Sequence, residues 1–376
     1  MPKNSKSEKI FVNEPLISKE AERNAADALA SRWLSGSGPF VEKFEKTFAE
    51  YLGIKQAVAV ANGTCALHLA LLSLNVGAGD EVIVPAFAMG ACFMAVLQTG
   101  AKPVFVDCEL ETYNIDPKKI AEKISPRTKA VMAVHTYGHA ADMDAILQIA
   151  AERKIKVLED AAESHGGRYK GRLTGTMGDV GAFSFYANKI ITTGEGGMIV
   201  TNDEKIAAEA RKLRDLYHSS DKRFIHEKLG YNYRLSNLQA ALGLGELSRI
   251  DEYIAKKLAM AAAYDNGLSG VSGLILPKTK PDVKNVYWMY GIVVDQKKFG
   301  KSRDELRSAL AEQGIETRDF FYPPEEQPVL KNVIGNEKFP NASFLGQNGL
   351  YLPSGLAITK DQIERVIKAL RAIAGR

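Results

Sequence analysis

"QAVAVANGTCALHLALLSLNVGAGDEVIVPA", residues 56–86, sets a helical run between two short apolar ones. "QAVAVAN" and "DEVIVPA" are short and rich in valine and isoleucine, as buried strands are. Between them Thr64 to Leu74 is rich in alanine and leucine and free of proline and glycine, which favours a helix. No two-residue hairpin turn joins the strands. A strand that leads through a helix to the next strand is the unit of a parallel sheet.

The same alternation runs outward in both directions. Residues 14–32 and 39–51 read as amphipathic helices separated by "WLSGSGP". Downstream come a helix at 90–99, the strand "KPVFVD", a short helix near 117–123 and the strand "KAVMAVH". A helix at 142–152 and the strand "IKVLED" follow. The expected architecture is α/β, a large and mostly parallel sheet covered on both faces. Beyond residue 178, "GDVGAFSFY" and "GGMIVTND" read as hairpin-related strands, and 236–265 as one long helix leaving this domain. The strand "VYWMYGIVV", a helix at 302–313, the loop "YPPEEQP" and a last helix at 359–374 suggest a smaller α+β domain. The division is expected at 1–250 and 251–376.

Bulk properties narrow the class. A hydrophobic share of 45% and a charged share of 25% describe an ordinary globular protein. A net charge of +4 spread along 376 residues argues against a nucleic-acid surface. The start, "MPKNSKSEKI", lacks the apolar stretch of a signal peptide. The longest nearly apolar run, 86–97, is too short for the ~20 residues that span a bilayer. Cys65, Cys92 and Cys108 have no metal-type spacing and sit in apolar surroundings, as reduced thiols of a cytoplasmic protein do. The six histidines lack metal-ligand spacing too, so no metal is expected.

In a parallel sheet, ligands gather at the carboxyl ends of the strands. Asn62-Gly63-Thr64 joins a strand to a helix, and its N–H groups could hold a phosphate. Taken alone these residues are better accounted for by an ordinary cap from Asn62 or Thr64. Asp160 ends "KVLED", either as a carboxylate at the ligand edge or as another cap. Lys189 stands between the apolar "FSFY" and the glycines 194, 196 and 197, an unusual setting for a surface lysine. Together a recessed lysine, a carboxylate and a phosphate cradle are what pyridoxal 5'-phosphate (PLP) requires. The lysine forms the Schiff base, and the carboxylate keeps the pyridine nitrogen protonated so that the ring can accept electrons. His165, soon after Asp160, either lines such a site or is structural.

The segments "NGTCALHLAL", "GDEVIVPAF", "HTYGHAADMD", "LEDAAESHGG", "SFYANKIITTGEGGMIVTND" and "GYNYRLSNLQAALGLGEL" resemble the DegT/DnrJ/EryC1/StrS family of PLP-dependent nucleotide-sugar aminotransferases. The resemblance runs from about residue 10 to the C-terminus. It implies an aspartate aminotransferase-like fold (fold type I) and homodimers with shared active sites. Lys189 is then the Schiff-base lysine and proton shuttle, and Asp160 the partner of the pyridine nitrogen. Gly63, Thr64 and Ser184 bind the phosphate, joined by Asn237 from the other subunit. Three positions depart from the family pattern. Met89 stands where an aromatic residue commonly stacks on the cofactor ring, and a thioether can also cover a ring face. Glu163 stands where glutamine is common, near the phenolic oxygen of PLP. Glu325, in "FYPPE", stands where a substrate-facing histidine is expected in perosamine synthase-like members.

The resemblance implies amino transfer from L-glutamate to a keto sugar of a nucleoside diphosphate. "YNYRLSN" is similar to members that aminate carbon 4, which points to a 4-keto-6-deoxyhexose. A sugar dehydratase on this fold and a non-catalytic sensor are the alternatives. In one dehydratase branch the lysine position is histidine, and a sensor could dispense with Lys189 or Asp160. Both residues are present.

Overall fold

Valine and isoleucine alternating with alanine-rich helices build a seven-stranded sheet in this computed structural model, which describes residues 9–222 and 224–375. The polar residues 1–8 lie outside the described residues. The strands are β1 (Gln56–Val60), β2 (Glu81–Pro85), β3 (Lys102–Val106), β4 (Thr128–Val134), β5 (Lys156–Asp160), β6 (Val180–Ser184) and β7 (Gly197–Thr201). Their order across the sheet is β1-β7-β6-β5-β4-β2-β3. β7 runs antiparallel to both neighbours and every other pairing is parallel. The fold is thus the expected α/β arrangement, with β6 and β7 as the hairpin-related pair.

The longer helices that accompany these strands are α1 (Lys19–Ser31), α2 (Pro39–Leu52), α3 (Gly63–Ser73), α4 (Ala91–Gln98), α5 (Met143–Arg153) and α6 (Glu204–Arg214), and the short helix expected near 117–123 is present as Ile120–Lys123. α3 is apolar around nearly its whole circumference and buries Cys65 to Leu71 without interruption. A helix so placed has its N-terminus held rigidly at the carboxyl edge of the sheet.

Register brings the site together. Val60, at the end of β1, and Ser184, at the end of β6, both pair with Gly197 at the start of β7. A side chain at Gly197 would meet the Asn62 carbonyl at 2.4 Å. Without one, the start of α3 can lie beside the end of β6.

The expected helix over 236–265 is two helices, α7 (Asn237–Leu247) and α8 (Ile250–Leu268). Ser248 Oγ donates to the Gly245 carbonyl at 2.6 Å, and the Arg249 N–H bonds one residue short, to Glu246. A serine that competes for a helix carbonyl in this way favours a break. Glycine at 245 also lets α7 lie directly on α1, since a Cβ there would sit 2.3 Å from the Ala21 nitrogen.

The C-terminal portion holds a four-stranded antiparallel sheet of β8 (Leu274–Ile275), β9 (Tyr290–Val294), β10 (Arg318–Asp319) and β11 (Gly349–Leu352), in the order β8-β9-β11-β10. The helices α9 (Arg303–Glu312), α10 (Pro340–Asn348) and α11 (Lys360–Ala374) accompany it. "VYWMYGIVV" becomes a strand only at Tyr290, because Tyr287 takes a left-handed conformation (φ 47°) that ends the extended run. α8 joins two cores: Ile250, Tyr253 and Ile254 pack with the large sheet, Met260, Tyr264 and Leu268 with the small one. Ile10 bridges to Ile315 and packs in the second core, so the segment before α1 is tied to the C-terminal portion. A small sheet of Arg168–Tyr169, Arg172–Leu173 and Val283–Lys284 had no signal in the sequence pattern. Among the described residues no helix is long and apolar enough to cross a membrane, and no metal-ligand cluster occurs.

Candidate active site

A cavity of about 660 Å³ opens at the carboxyl edge of the large sheet. Gly63, Thr64, Met89, Asp160, Glu163, Ser184 and Lys189 all line it, brought from five separate segments.

At α3 the cap reading of "NGT" is observed, and it leaves room for the phosphate reading. Asn62 Oδ1 accepts the Cys65 N–H at 2.9 Å, an ordinary N-cap. That leaves the N–H groups of Gly63 and Thr64 without a protein acceptor among the described residues. Two free donors at the positive end of a helix, facing a cavity, suit a phosphate. Ser184 closes the cradle, and a Cβ on Gly63 would lie 2.7 Å from its Cβ.

Asp160 is 6% exposed at the end of β5. Its Oδ1 accepts the Ala162 N–H at 3.0 Å and its Oδ2 the Cys92 thiol at 3.2 Å. Burial, and then Asp160 itself, push the Cys92 thiol far up, so it stays protonated and donates. Glu163 Oε2 accepts the Tyr137 N–H at 2.7 Å. Burial is the main reason its pKa rises to about 7, reinforced by Asp160 and opposed by Lys189 and the Tyr137 N–H. A carboxyl so shifted can hold a proton near neutrality and donate as the commoner glutamine would.

Lys189 follows the tight turn that its N–H makes to the Tyr186 carbonyl at 2.9 Å. Burial lowers its pKa, against the pull of Glu163, Asp160 and Cys92. A larger neutral fraction makes it a better nucleophile at a carbonyl. Met89 stands at the mouth, 53% exposed.

Asn237 is elsewhere. It is fully buried under the loop between α1 and α2, where Oδ1 accepts from Phe40 N at 2.8 Å and Nδ2 donates to the Trp33 carbonyl at 2.8 Å. Within one chain it does not line the cavity. Nor does Glu325: its Oε1 accepts from Phe339 N at 3.2 Å and Ser343 Oγ at 2.8 Å, at the start of α10. His165 does not line the cavity; it packs 5.3 Å and 5.6 Å from the rings of Phe183 and Phe185 and is held neutral by burial, with a pKa of about 3. Sequence reasoning missed Trp288 and Arg318, which reach the cavity from the C-terminal portion. Trp288 lay inside an apolar run that read as a strand, and Arg318 carried no motif of its own.

The model of the DegT/DnrJ/EryC1/StrS aminotransferase family matches residues 15–371. This chain belongs to that family. It is 40% identical to GDP-perosamine synthase of Caulobacter vibrioides over 366 residues, 96% of this chain and 97% of that protein. It is 38% identical to dTDP-3-amino-3,4,6-trideoxy-alpha-D-glucose transaminase of Streptomyces venezuelae, over 95% and 94% of the two chains. The crystal structure of S. venezuelae DesV superposes with a TM-score of 0.91 at 36% identity, covering 98% of this chain and all of that one.

Membership makes the protein a PLP-dependent aminotransferase, and its own residues fit the cofactor. The free N–H pair at Gly63 and Thr64 with Ser184 suits a phosphate. Asp160 suits a protonated ring nitrogen, and Lys189 the aldehyde carbon. When bound, PLP supplies the electron sink that makes a proton removable from carbon beside nitrogen.

Proposed function

We propose that the protein transfers an amino group from L-glutamate to carbon 4 of a nucleotide-linked 4-keto-6-deoxyhexose, for surface polysaccharide. We further propose that it works in the cytoplasm as a homodimer with shared active sites. The observation that carries this reading is the placement of Lys189. Its amine lies within one cavity with Asp160, Glu163 and the free start of α3. Similarity to the C. vibrioides GDP-perosamine synthase, which extends over nearly both full chains, supports the choice of carbon 4.

In this reading Lys189 Nζ takes and returns the proton at the sugar carbon. Gly63, Thr64 and Ser184 hold the cofactor phosphate, and Asp160 holds the proton on the ring nitrogen. Protonated Glu163 donates toward the phenolic oxygen, and Met89 covers the ring at the cavity mouth. Trp33 and Leu34, 58% and 46% exposed in the loop that Asn237 clamps, offer apolar surface for a second copy. Three buried free thiols suit the reducing cytoplasm. Carbon 3 is the competing position, since the S. venezuelae transaminase named above is almost as similar.

Purified protein given glutamate and a panel of GDP- and dTDP-linked 4-keto and 3-keto sugars decides. Formation of 2-oxoglutarate with a 4-amino sugar is expected. A 3-amino product moves the assignment to carbon 3, and no turnover with any of the sugars removes the reading.

A further inference from the structure

Lys189 Nζ forms no hydrogen bond or ion pair with any described residue. It lies instead over the face of Trp288, whose ring centre is 3.7 Å away. Such a distance over an indole face is attractive to an ammonium, and more so away from water. Trp288 is itself 6% exposed and anchored at three points. Its indole N–H donates to the carbonyl of Asn188, the residue before the lysine, at 2.8 Å. Its own carbonyl accepts from Lys257 Nζ at 2.8 Å, a lysine 3% exposed on α8 that also donates to the Ser354 carbonyl. Its ring lies 6.2 Å from that of Tyr137, whose N–H holds Glu163. Asn13 Nδ2 reinforces the same Asn188 carbonyl at 3.2 Å.

We infer that Trp288 is a positioning residue for the catalytic lysine, holding the Lys189 ammonium on its face whenever that amine is free. The two contacts act together. The indole N–H fixes the plane of the ring against the backbone of the lysine's own loop, and the face then receives the charge. An amine that must leave and rejoin a carbonyl carbon in each cycle needs a resting place, and a neutral ring face offers one without the tight grip of a carboxylate. The inference concerns the lysine alone and holds whichever keto sugar is the substrate.

The face favours the charged amine, so it opposes the desolvation that lowers the Lys189 pKa. The other groups facing the amine are Asp160 at the end of β5, Glu163 just beyond it and Cys92 on α4, with His165 behind. Glu195 and Arg318 stand on the cavity wall. Removing the ring while leaving these in place must lower the lysine's pKa further.

The titration of Lys189 in cofactor-free protein reads this directly, by competitive acetylation against pH and mass spectrometry of the peptide. Trp288→Leu should move the labelling midpoint down by about one pH unit, and Trp288→Phe, which keeps a face, by clearly less. In the loaded enzyme Trp288→Leu should lower kcat by about tenfold and leave KM unchanged. Should the leucine variant fail to fold, Trp288→Met, which also fills the space without a ring, is read in the same way. A midpoint equal to wild type in the ringless variant overturns the inference. So does a raised KM with kcat intact, which would place Trp288 on the substrate.

Discussion

Glu163 carries the residue-scale consequence that is easiest to measure. In cofactor-free protein it keeps its proton up to about pH 7, against an ordinary value of 4.5. The folded chain therefore binds more protons than the unfolded chain between these values, and stability falls as pH rises through that window. The whole effect amounts to about 3 kcal/mol. Glu163→Gln carries no titrating group and should lack this loss. Urea unfolding of both proteins at pH 4.5 and pH 7.5 isolates the residue, because all other groups cancel in the difference. Parallel pH slopes would mean that the carboxyl is ionised throughout and has relaxed toward Lys189. With cofactor bound, the glutamine variant should bind PLP as well as or better than wild type. Asp160 and Lys189 were legible because one ends an apolar strand and the other stands beside glycines, whereas Glu163 was singled out only by the family resemblance. Trp288 was not legible, since its partner lies 99 positions away and its own neighbourhood reads as core. The contacts of Glu325 were not legible either, since its partners Phe339 and Ser343 lie 14 and 18 positions downstream.

Among elements, the start of α3 is the one at which the expected phosphate cradle can be tested. β1 and β6 both meet Gly197, so the helix N-terminus and Ser184 come into van der Waals contact, and no atom can be added at residue 63. Gly63→Ala places a Cβ 2.7 Å from the Ser184 Cβ, and something must shift. Overpacking of this kind costs about 1–3 kcal/mol. It also pushes apart the two halves of the cradle, so PLP affinity should fall by at least about tenfold. Gly77→Ala, where nothing lies within 4 Å, serves as the control and should change neither property. Thermal unfolding and a fluorescence titration with PLP measure both effects. Unaltered PLP affinity in Gly63→Ala would show that the phosphate is held elsewhere. The strand–helix alternation was readable because a parallel sheet buried on both faces demands continuous apolar runs. The interruption between α7 and α8 was hidden. It depends on one serine hydroxyl reaching a carbonyl in a sequence without proline.

At the scale of the whole molecule the open question is how many chains build one site. Asn237 and Lys189 belong to one polypeptide, yet the asparagine is locked beneath the loop at 33–40, away from its own chain's cavity. That loop presents Trp33 and Leu34 outward, as an interface element would. The Nδ2 of Asn237 donates to the Trp33 carbonyl and its side chain is fully buried in the single chain, so reaching a neighbouring chain's phosphate requires that loop to shift. Asn237→Asp keeps an acceptor for Phe40 but loses that donor and adds a negative charge, so it should cripple the site to which it contributes. Lys189→Ala disables a site for an unrelated reason, the missing amine. If the two variants are unfolded together and refolded so that subunits mix, about half the dimers carry one chain of each kind. When sites are shared, such a dimer concentrates both defects in one site and leaves the other intact. Activity should then recover to about a quarter of wild type, from two parents that are each nearly inactive. When Lys189 and Asn237 serve the same chain's site, every site in the mixed dimer keeps one defect and nothing is recovered. Mass spectrometry of the intact mixed dimers confirms that they formed, so an absence of recovery counts against the shared site and not against the mixing.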